Sequence, residues 1–148
     1  MAERRILIVE DNPGDVRLMR EALRDLQPPV AIDVAMDEEQ ALRLLHNEPR
    51  PSLIFLDFNL PKSDARALLR HIKEDERLRM IPTAVLTTSD AERDVREAYE
   101  LHANCYLRKP VDLDSFFGTI REATRFWLEV AYSPTEFPEE ASHQSHLL

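Results

Sequence analysis

Two neighbouring acidic residues, Glu10 and Asp11, and a further aspartate, Asp57, each follow a short run of apolar residues. Thr87 and Lys109 follow two more runs of the same kind. Carboxylate oxygens are the ligands that hard divalent cations prefer, and a lysine ammonium pairs with anionic groups. Each of these residues alone also fits an ordinary strand end or turn. What they can do together depends on whether the fold brings them to one place.

Apolar runs and helical patterns alternate along most of the chain. The runs that predict strands lie at 6–9, 31–36, 52–56, 82–86 and 105–107. After each run, apolar residues recur at helical spacing. The helices are expected from Pro13 to the Pro28-Pro29 pair, at 38–45 behind a capping box at Asp37, around 68–72, from a capping box at Ser89 to about 101, and at 113–131.

Five strands alternating with five helices predict an α/β fold, with a parallel sheet covered by helices on both faces. In such folds functional groups collect beyond the carboxyl ends of the strands, which is where these polar residues fall. Three carboxylates at one site would repel one another. A magnesium ion would relieve that repulsion, because Mg²⁺ accepts oxygen ligands whereas Zn²⁺ favours His and Cys.

The composition limits the settings and partners to consider. The net charge of -9 disfavours nucleic-acid binding, since that affinity comes largely from Lys and Arg. Cys105 is the single cysteine, and no signal-peptide pattern or apolar run of the roughly 18 residues that span a bilayer occurs. We predict a cytoplasmic protein with no membrane or nucleic-acid partner. The expected organisation is one domain at 4–131 and a tail at 132–148.

Four stretches of the sequence resemble the receiver domain of bacterial two-component response regulators. They are ILIVED at 6–11, LIFLDFNLP at 53–61, PTAVLTT at 82–88 and YLRKP at 106–110. Each motif alone is weak, but the four occur in the expected order at the ends of the expected strands. The resemblance implies a flavodoxin-like sheet with the strand order 2-1-3-4-5.

The resemblance also implies a role for each matching residue. Asp57 matches the aspartate that accepts a phosphoryl group, Thr87 the switch hydroxyl and Lys109 the phosphate-binding lysine. Tyr106 matches an aromatic residue that changes position on activation, although it could equally be a strand aromatic that covers the edge of the core. The implied magnesium ligands are Glu10, Asp11, Asp57 and the backbone carbonyl of Asn59. The positions that tune the lifetime of the phosphate are Asn59 and Ser89.

Three further stretches are similar to the small regulators that work with bacterial phytochromes. These are DNPGDVRL at 11–18, LTTSD at 86–90 and RFWL at 125–128. The implied partner is a sensor histidine kinase of the phytochrome type, and the implied cofactor is Mg²⁺. Two positions depart from the family pattern, because Ala65 and His102 stand where receivers usually have glycine. A left-handed backbone at His102 would cost roughly 1–2 kcal/mol relative to glycine.

The last helix predicts a surface for self-association. At about 100° per residue, one stripe that should pack on the sheet contains Leu113, Phe116, Ile120, Ala123, Trp127 and Ala131. Phe126 and Val130 lie beside that stripe. Two interpretations stay open: the tail, with Tyr132 and Phe137, covers this pair, or the pair contributes to a twofold homodimer through the fourth and fifth elements.

Two other functions fit part of the pattern. A phosphatase of the haloacid-dehalogenase type also uses an aspartate nucleophile with Mg²⁺, but such enzymes usually carry a second acid where this chain has Asn59. A binding module that has lost phosphorylation would not need all five polar residues at the strand ends. We therefore expect a signalling module, not an enzyme, whose output is contact with another protein.

The histidines give no site from the sequence. His143 and His146 have the spacing of metal ligands on one helix face, but they lie in the tail, where a solvated segment is the expected state. His71 and His102 show no arrangement of neighbouring acids that would make them phosphorylated histidines.

Overall fold

A computed structural model describes residues 4–60, 64–132 and 134 of the 148-residue chain. Five strands form one sheet in the order β2-β1-β3-β4-β5, and every neighbouring pair is parallel. This is the order that the resemblance to receivers implies, so the predicted fold is confirmed. The strands are β1 (Arg4–Val9), β2 (Val30–Ala35), β3 (Leu53–Asp57), β4 (Thr83–Thr87) and β5 (Cys105–Arg108).

Helices connect the strands and cover both faces of the sheet. They are α1 (Pro13–Leu23), α2 (Glu38–Leu45), α3 (Ala65–Glu74), α4 (Glu92–Glu100) and α5 (Leu113–Arg125). A 3₁₀ turn (Leu78–Met80) precedes β4, and a π-helical turn (Phe126–Val130) extends α5. Among the described residues, no helix has the length and apolarity needed to cross a membrane.

Alternate residues of the central strands supply two separate cores. On one face of the sheet, α2, α3 and α4 pack against Leu7, Val9, Ile54, Leu56 and Val85. On the other face, α1 and α5 pack against Ile6, Ile8, Leu53, Phe55, Ala84 and Leu86. Because successive side chains of a strand point to opposite faces, a continuous apolar run is what a strand covered on both faces requires. The central strands therefore hold the carboxyl edge of the sheet in a fixed position.

Side-chain caps start four of the five helices. Asn12 accepts hydrogen bonds from the N–H groups of Gly14 and Asp15, and Asp37 accepts one from Gln40. Asp64 and Asp112 cap α3 and α5 in the same way. These bonds satisfy N–H groups that have no partner within the helix.

The predicted capping box at Ser89 is wrong. The hydroxyl of Ser89 donates to Asp94 at 2.7 Å, and α4 begins only at Glu92, behind Ala91, which makes no side-chain cap. The oxygen of Ser89 accepts a hydrogen bond from the N–H of Ala91 at 3.2 Å, and because Ala91 precedes the helix, this bond satisfies none of the N–H groups of α4 itself. Ser89 therefore belongs to the loop between β4 and α4 and not to the helix.

Two helix ends also differ from the sequence prediction. α1 ends at Leu23, before the Pro28-Pro29 pair. At the other end of the chain, the π-helical turn changes the angle between successive residues, so Leu128 is buried while Trp127 is only half-buried. The predicted stripe of α5 is correct at Phe116 and Ile120 but wrong at Leu113, which is exposed.

α4 ends in a Schellman motif with histidine in the position that usually holds glycine. The N–H of Ala103 donates to the carbonyl of Ala98, and the N–H of His102 donates to that of Tyr99. His102 has φ of 73°, so the left-handed backbone expected at this residue is confirmed. Ala98 and Ala103 are both buried and belong to the same apolar cluster.

Candidate functional site

The polar residues predicted to act together do converge at the carboxyl edge of the sheet. Asp57 and Thr87 are the last residues of β3 and β4, which pair side by side in register. Glu10 follows β1 and is held there by a 2.9 Å hydrogen bond from its N–H to the carbonyl of Ala35. Lys109 follows β5 and donates its N–H to the carbonyl of Thr87 at 2.7 Å. Backbone pairing in the sheet therefore fixes four of the five residues.

The ammonium group of Lys109 is the centre of the site. It donates to Glu10 Oε1 at 2.8 Å, to Asp15 Oδ2 at 2.8 Å and to Asp57 Oδ2 at 3.4 Å. Only 9% of Lys109 is exposed, and Glu10 and Asp57 are also buried. Burial by itself would lower the pKa of Lys109, but the hydrogen bonds to Asp15 and Glu10 and the charge of Asp57 raise it above its ordinary value. Lys109 therefore remains a cation.

Three carboxyl groups beside this lysine form an acidic pocket. One oxygen atom from each of Glu10, Asp11 and Asp57 lies within 4.8 Å of the others. Burial, together with hydrogen bonding to Asp57, raises the pKa of Glu10 from 4.5 to about 7. One lysine thus does not fully neutralise the pocket. A hard divalent cation with oxygen ligands fits this donor set, and a metal that requires nitrogen or sulfur ligands does not.

Asn59 joins the carboxylate to the hydroxyl. Its N–H donates to Asp57 Oδ1 at 2.9 Å, and its side-chain Nδ2 donates to Thr87 Oγ1 at 2.8 Å. Since Thr87 Oγ1 is an acceptor in this bond, its own proton is available to an oxygen that enters the pocket. The resemblance to receivers implies a backbone carbonyl ligand and a role in phosphate lifetime for Asn59, but the side-chain bond to Thr87 has no signal in the sequence.

Tyr106 is connected to the loop that follows Thr87. Its hydroxyl donates to the carbonyl of Ser89 at 2.8 Å, and its ring packs edge-on against Phe58. Ser89 continues the connection through its bond to Asp94 on α4. The residues of the predicted switch thus lie on one chain of contacts, although their switching roles remain predictions.

The sequence patterns did not identify two residues of this region. Asp15 accepts a hydrogen bond from Lys109, yet in the sequence it resembles an ordinary acidic residue in the first turn of a helix. Arg66 lies over the ring of Phe58 at 4.5 Å and forms ion pairs with Asp94 and Glu97 of α4. Neither residue has a local motif, because their partners are distant in sequence.

The predicted self-association surface lies away from this pocket. Phe126 is 48% exposed and Val130 is 66% exposed, and Phe126 packs edge-on against Trp127. Tyr132 is 91% exposed, so it does not cover the pair. Phe137, the other tail residue proposed to cover it, lies outside the described residues, as do His143 and His146.

The sequence and the fold are both similar to those of known receiver domains. The family model for the response regulator receiver domain matches residues 6–121. Response regulator Rcp1 of Synechocystis sp. is 42% identical over 135 residues, which cover 87% of this chain and 92% of Rcp1. The crystal structure of the phosphorylated cyanobacterial phytochrome response regulator RcpA gives a TM-score of 0.86 at 40% identity, covering 90% of this chain and 99% of that one. The Mn²⁺-bound form of Rcp1 gives 0.82 at 42% identity, covering 88% and 99%.

The matched residues run from the first strand into the last helix. They include all five strand ends and every polar residue of the pocket, and the observed strand order is the one expected for receivers. The chain is therefore a response-regulator receiver domain that works in two-component phosphorelay signalling.

Proposed function

We propose that this chain accepts a phosphoryl group on Asp57 from a sensor histidine kinase of the phytochrome type, in a Mg²⁺-dependent reaction in the cytoplasm. The observation that carries the proposal is the position of Lys109, whose ammonium group lies between the carboxylates of Glu10 and Asp57. The similarity to Rcp1 and RcpA supports the choice of kinase. The receiver is proposed to occupy 4–131, with 132–148 as a tail.

The reaction is a transfer between a histidine and an aspartate. A carboxylate oxygen of Asp57 attacks the phosphorus of the donor phosphohistidine, an O–P bond forms, and the N–P bond breaks. The electron pair of that bond returns to the imidazole, which takes up a proton. Such transfers depend on positioning and on charge stabilisation. Lys109 supplies positive charge beside Asp57, and Thr87 supplies a hydrogen-bond donor.

The acidic pocket is proposed to hold Mg²⁺ through Glu10, Asp11, Asp57 and the backbone carbonyl of Asn59. When bound, the ion neutralises negative charge on the transferring group. The pocket has the oxygen donors that Mg²⁺ accepts. Burial and the hydrogen bond to Asp57 raise the pKa of Glu10, and a bound cation would favour its ionised form.

The output is proposed to begin at Thr87. A phosphoryl oxygen at Asp57 offers the hydroxyl of Thr87 a new hydrogen-bond acceptor. The ammonium group of Lys109 would then donate both to the phosphoryl group and to Glu10 and Asp15, its present partners. Movement of Thr87 changes the loop that carries Ser89, to which the hydroxyl of Tyr106 is bonded. The surface of α4 and β5 would change with it and so alter contact with a partner protein. Asn59 and Ser89 are proposed to set how long the phosphate lasts.

The test is phosphotransfer from purified candidate histidine kinases, phytochromes first, with Mg²⁺ or with a chelator. We expect labelled phosphate on the wild-type chain and none on Asp57→Asn. The matched control is Asp114→Asn, which changes an exposed aspartate in the first turn of α5 and should label normally. Labelling of Asp57→Asn at another residue would overturn the assignment. Hydrolysis of small phosphoesters without a kinase would favour the phosphatase alternative.

We also propose a twofold homodimer in which Phe126 and Val130 contribute apolar contacts beside α4 and β5. The exposure of both residues and of Tyr132 supports this, because an apolar patch on a surface helix is typical of an interface. Analytical ultracentrifugation should show a dimer that Phe126→Asp weakens, while Arg125→Asp, on the neighbouring exposed position, keeps more of it. A wild type that is strictly monomeric both without and with a phosphoryl mimic, or a dimer that Phe126→Asp does not weaken, would contradict the proposal.

A further inference from the structure

Two histidines and an aspartate meet on the surface where the second and third helices end. His46 caps the C-terminus of α2, His71 lies in the last turn of α3, and Asp75 caps the C-terminus of α3. One ligand atom from each residue lies within 4.8 Å of the other two. Both histidines are exposed, so an ion from solvent can reach them. None of these residues takes part in the acidic pocket.

The two imidazoles are already at the separation that a shared ion needs. Nε2 of His46 lies 3.1 Å from Nε2 of His71. Two nitrogens bound to one tetrahedral zinc ion are about 3.3 Å apart, since each Zn–N bond is about 2.0–2.1 Å long. If both rings are neutral, this distance corresponds to a hydrogen bond that one Nε2–H donates to the Nε2 atom of the other ring. A small rotation of the rings, with the proton moved to Nδ1, would direct both lone pairs at a metal.

Asp75 is held in place to act as the third ligand. Its Oδ1 accepts hydrogen bonds from the N–H groups of Arg77 at 2.8 Å and Leu78 at 3.0 Å. These bonds orient the carboxylate, as outer hydrogen bonds do in known metal sites, and the remaining oxygen can bind an ion. His71 and Asp75 are four residues apart and so share one face of the helix end.

The local electrostatics also favour a cation. α2 and α3 both end here, and the C-terminal end of a helix carries partial negative charge. The backbone bonds from Leu78 and Arg77, with the nearby imidazoles, lower the pKa of Asp75 from its ordinary value, so the group is an anion at neutral pH. Both helices begin near the carboxyl edge of the sheet, which places this cluster at the opposite edge from Asp57.

We propose that His46, His71 and Asp75 form a second metal site, for a first-row transition-metal dication of the class that prefers imidazole, with Zn²⁺ as its representative. Two nitrogens and one carboxylate oxygen match that class, whereas the all-oxygen pocket at Asp57 matches Mg²⁺. Three protein ligands leave one position for water or a partner's side chain. A bound ion would join the ends of α2 and α3 and stabilise the folded chain by mass action.

The test is a calorimetric titration of Zn²⁺ into the full chain at neutral pH, with millimolar Mg²⁺ present throughout. It is repeated on Asp57→Asn to remove competition from the acidic pocket. We expect one equivalent to bind in both proteins and His46→Gln and His71→Gln each to weaken it at least about tenfold. Asp75→Asn keeps an acceptor for Arg77 and Leu78 and should also weaken binding. Long-range ¹H–¹⁵N spectra should show the Nε2 resonances of His46 and His71 shifting together.

The tail provides the necessary control. His143→Gln with His146→Gln removes the other histidine pair of metal-ligand spacing and should leave the stoichiometry and affinity unchanged. Loss of binding in this tail variant alone, or equal affinity in His46→Gln and the wild type, would overturn the proposal. Unchanged affinity in Asp75→Asn would overturn the three-ligand assignment.

Discussion

Lys109 and Arg66 each bring together acids from distant parts of the chain, but they do so at different depths. Lys109 is buried and meets Glu10, Asp15 and Asp57, whereas Arg66 is about one-third exposed and meets Asp94 and Glu97 of α4. Charges removed from water need their partners, since an unpaired buried charge is costly. Charges at the surface lose little on separation, because water and salt replace the partner.

This difference matches what each region is proposed to do. The Lys109 cluster must keep a fixed geometry so that charge added at Asp57 is felt by its neighbours. The Arg66 cluster lies between α3 and α4, where small movements must be inexpensive if the surface is to respond. We therefore expect substitutions at Lys109 to change stability strongly and substitutions at Arg66 to change it little.

The largest effect should follow from Lys109→Met, which keeps most of the length of the side chain and removes its charge. In Mg²⁺-free buffer above neutral pH, Glu10 and Asp57 would lose their buried cation, and the free energy of unfolding should fall by about 3 kcal/mol or more. Denaturant unfolding measures this directly. For a domain of this size, the loss corresponds to a Tm lower by roughly 6–12 °C.

A second substitution checks the cause of that loss. Adding Glu10→Gln to Lys109→Met removes one unpaired carboxylate and should recover part of the stability, so the two changes should be non-additive. Additive losses would show that the methionine disturbs packing and that the charge contributes little.

An intermediate effect should appear as a pH dependence that Glu10 creates. Its pKa is about 7 in the folded chain against an ordinary value of 4.5, so folding favours the protonated form. Its contribution to stability is therefore complete below about pH 4.5 and is lost as the pH rises through 7. Mg²⁺ requires the ionised form, so stabilisation by Mg²⁺ should increase from pH 5 to pH 8, by on the order of 1–3 kcal/mol.

The matched variant for this prediction is Glu10→Gln. The informative quantity is the difference between the wild type and this variant at each pH, measured by thermal unfolding with and without Mg²⁺. Equal pH slopes in the two proteins would contradict the role given to Glu10.

Much of the fold and the positions of the pocket residues could be predicted from sequence because both depend on strand ends. A parallel sheet aligns its carboxyl ends, so Asp57 and Thr87 had to become neighbours once β3 and β4 were identified. Asp15 could not be found in the same way. Its contact with Lys109 spans 94 residues and depends on where the first turn of α1 lies over the sheet.

The other differences also arise from tertiary contacts that local patterns do not contain. Ser89 has the sequence of a capping box, but its hydroxyl bonds to Asp94. The predicted apolar stripe of α5 requires a constant helical period. The π-helical turn at Phe126–Val130 changes that period, and Leu128 is therefore buried. His46 and His71 meet only because α2 and α3 end side by side.

The smallest effect should follow from Arg66→Gln, even though Arg66 contacts three side chains. It forms ion pairs with Asp94, at 3.3 Å, and with Glu97, and it lies over Phe58. Partly exposed pairs of this kind contribute about 0–1 kcal/mol, and the contact with the ring adds a similar amount at most. We expect Arg66→Gln to lower the free energy of unfolding by about 1 kcal/mol or less.

The dependence of stability on salt concentration should distinguish the Lys109 cluster from the Arg66 cluster most clearly. Near 1 M salt, the screening length falls to about 3 Å, which weakens exposed pairs and leaves buried ones nearly unchanged. The cost of Arg66→Gln should therefore shrink between low and high salt, while the cost of Lys109→Met should persist. Arg96→Gln, which breaks a more exposed pair with Glu92, is the control and should cost least of all. If Arg66→Gln were as costly as Lys109→Met and equally insensitive to salt, α4 would be held rigidly to α3 through Arg66, and the proposed movement of the α4 surface would have to begin elsewhere.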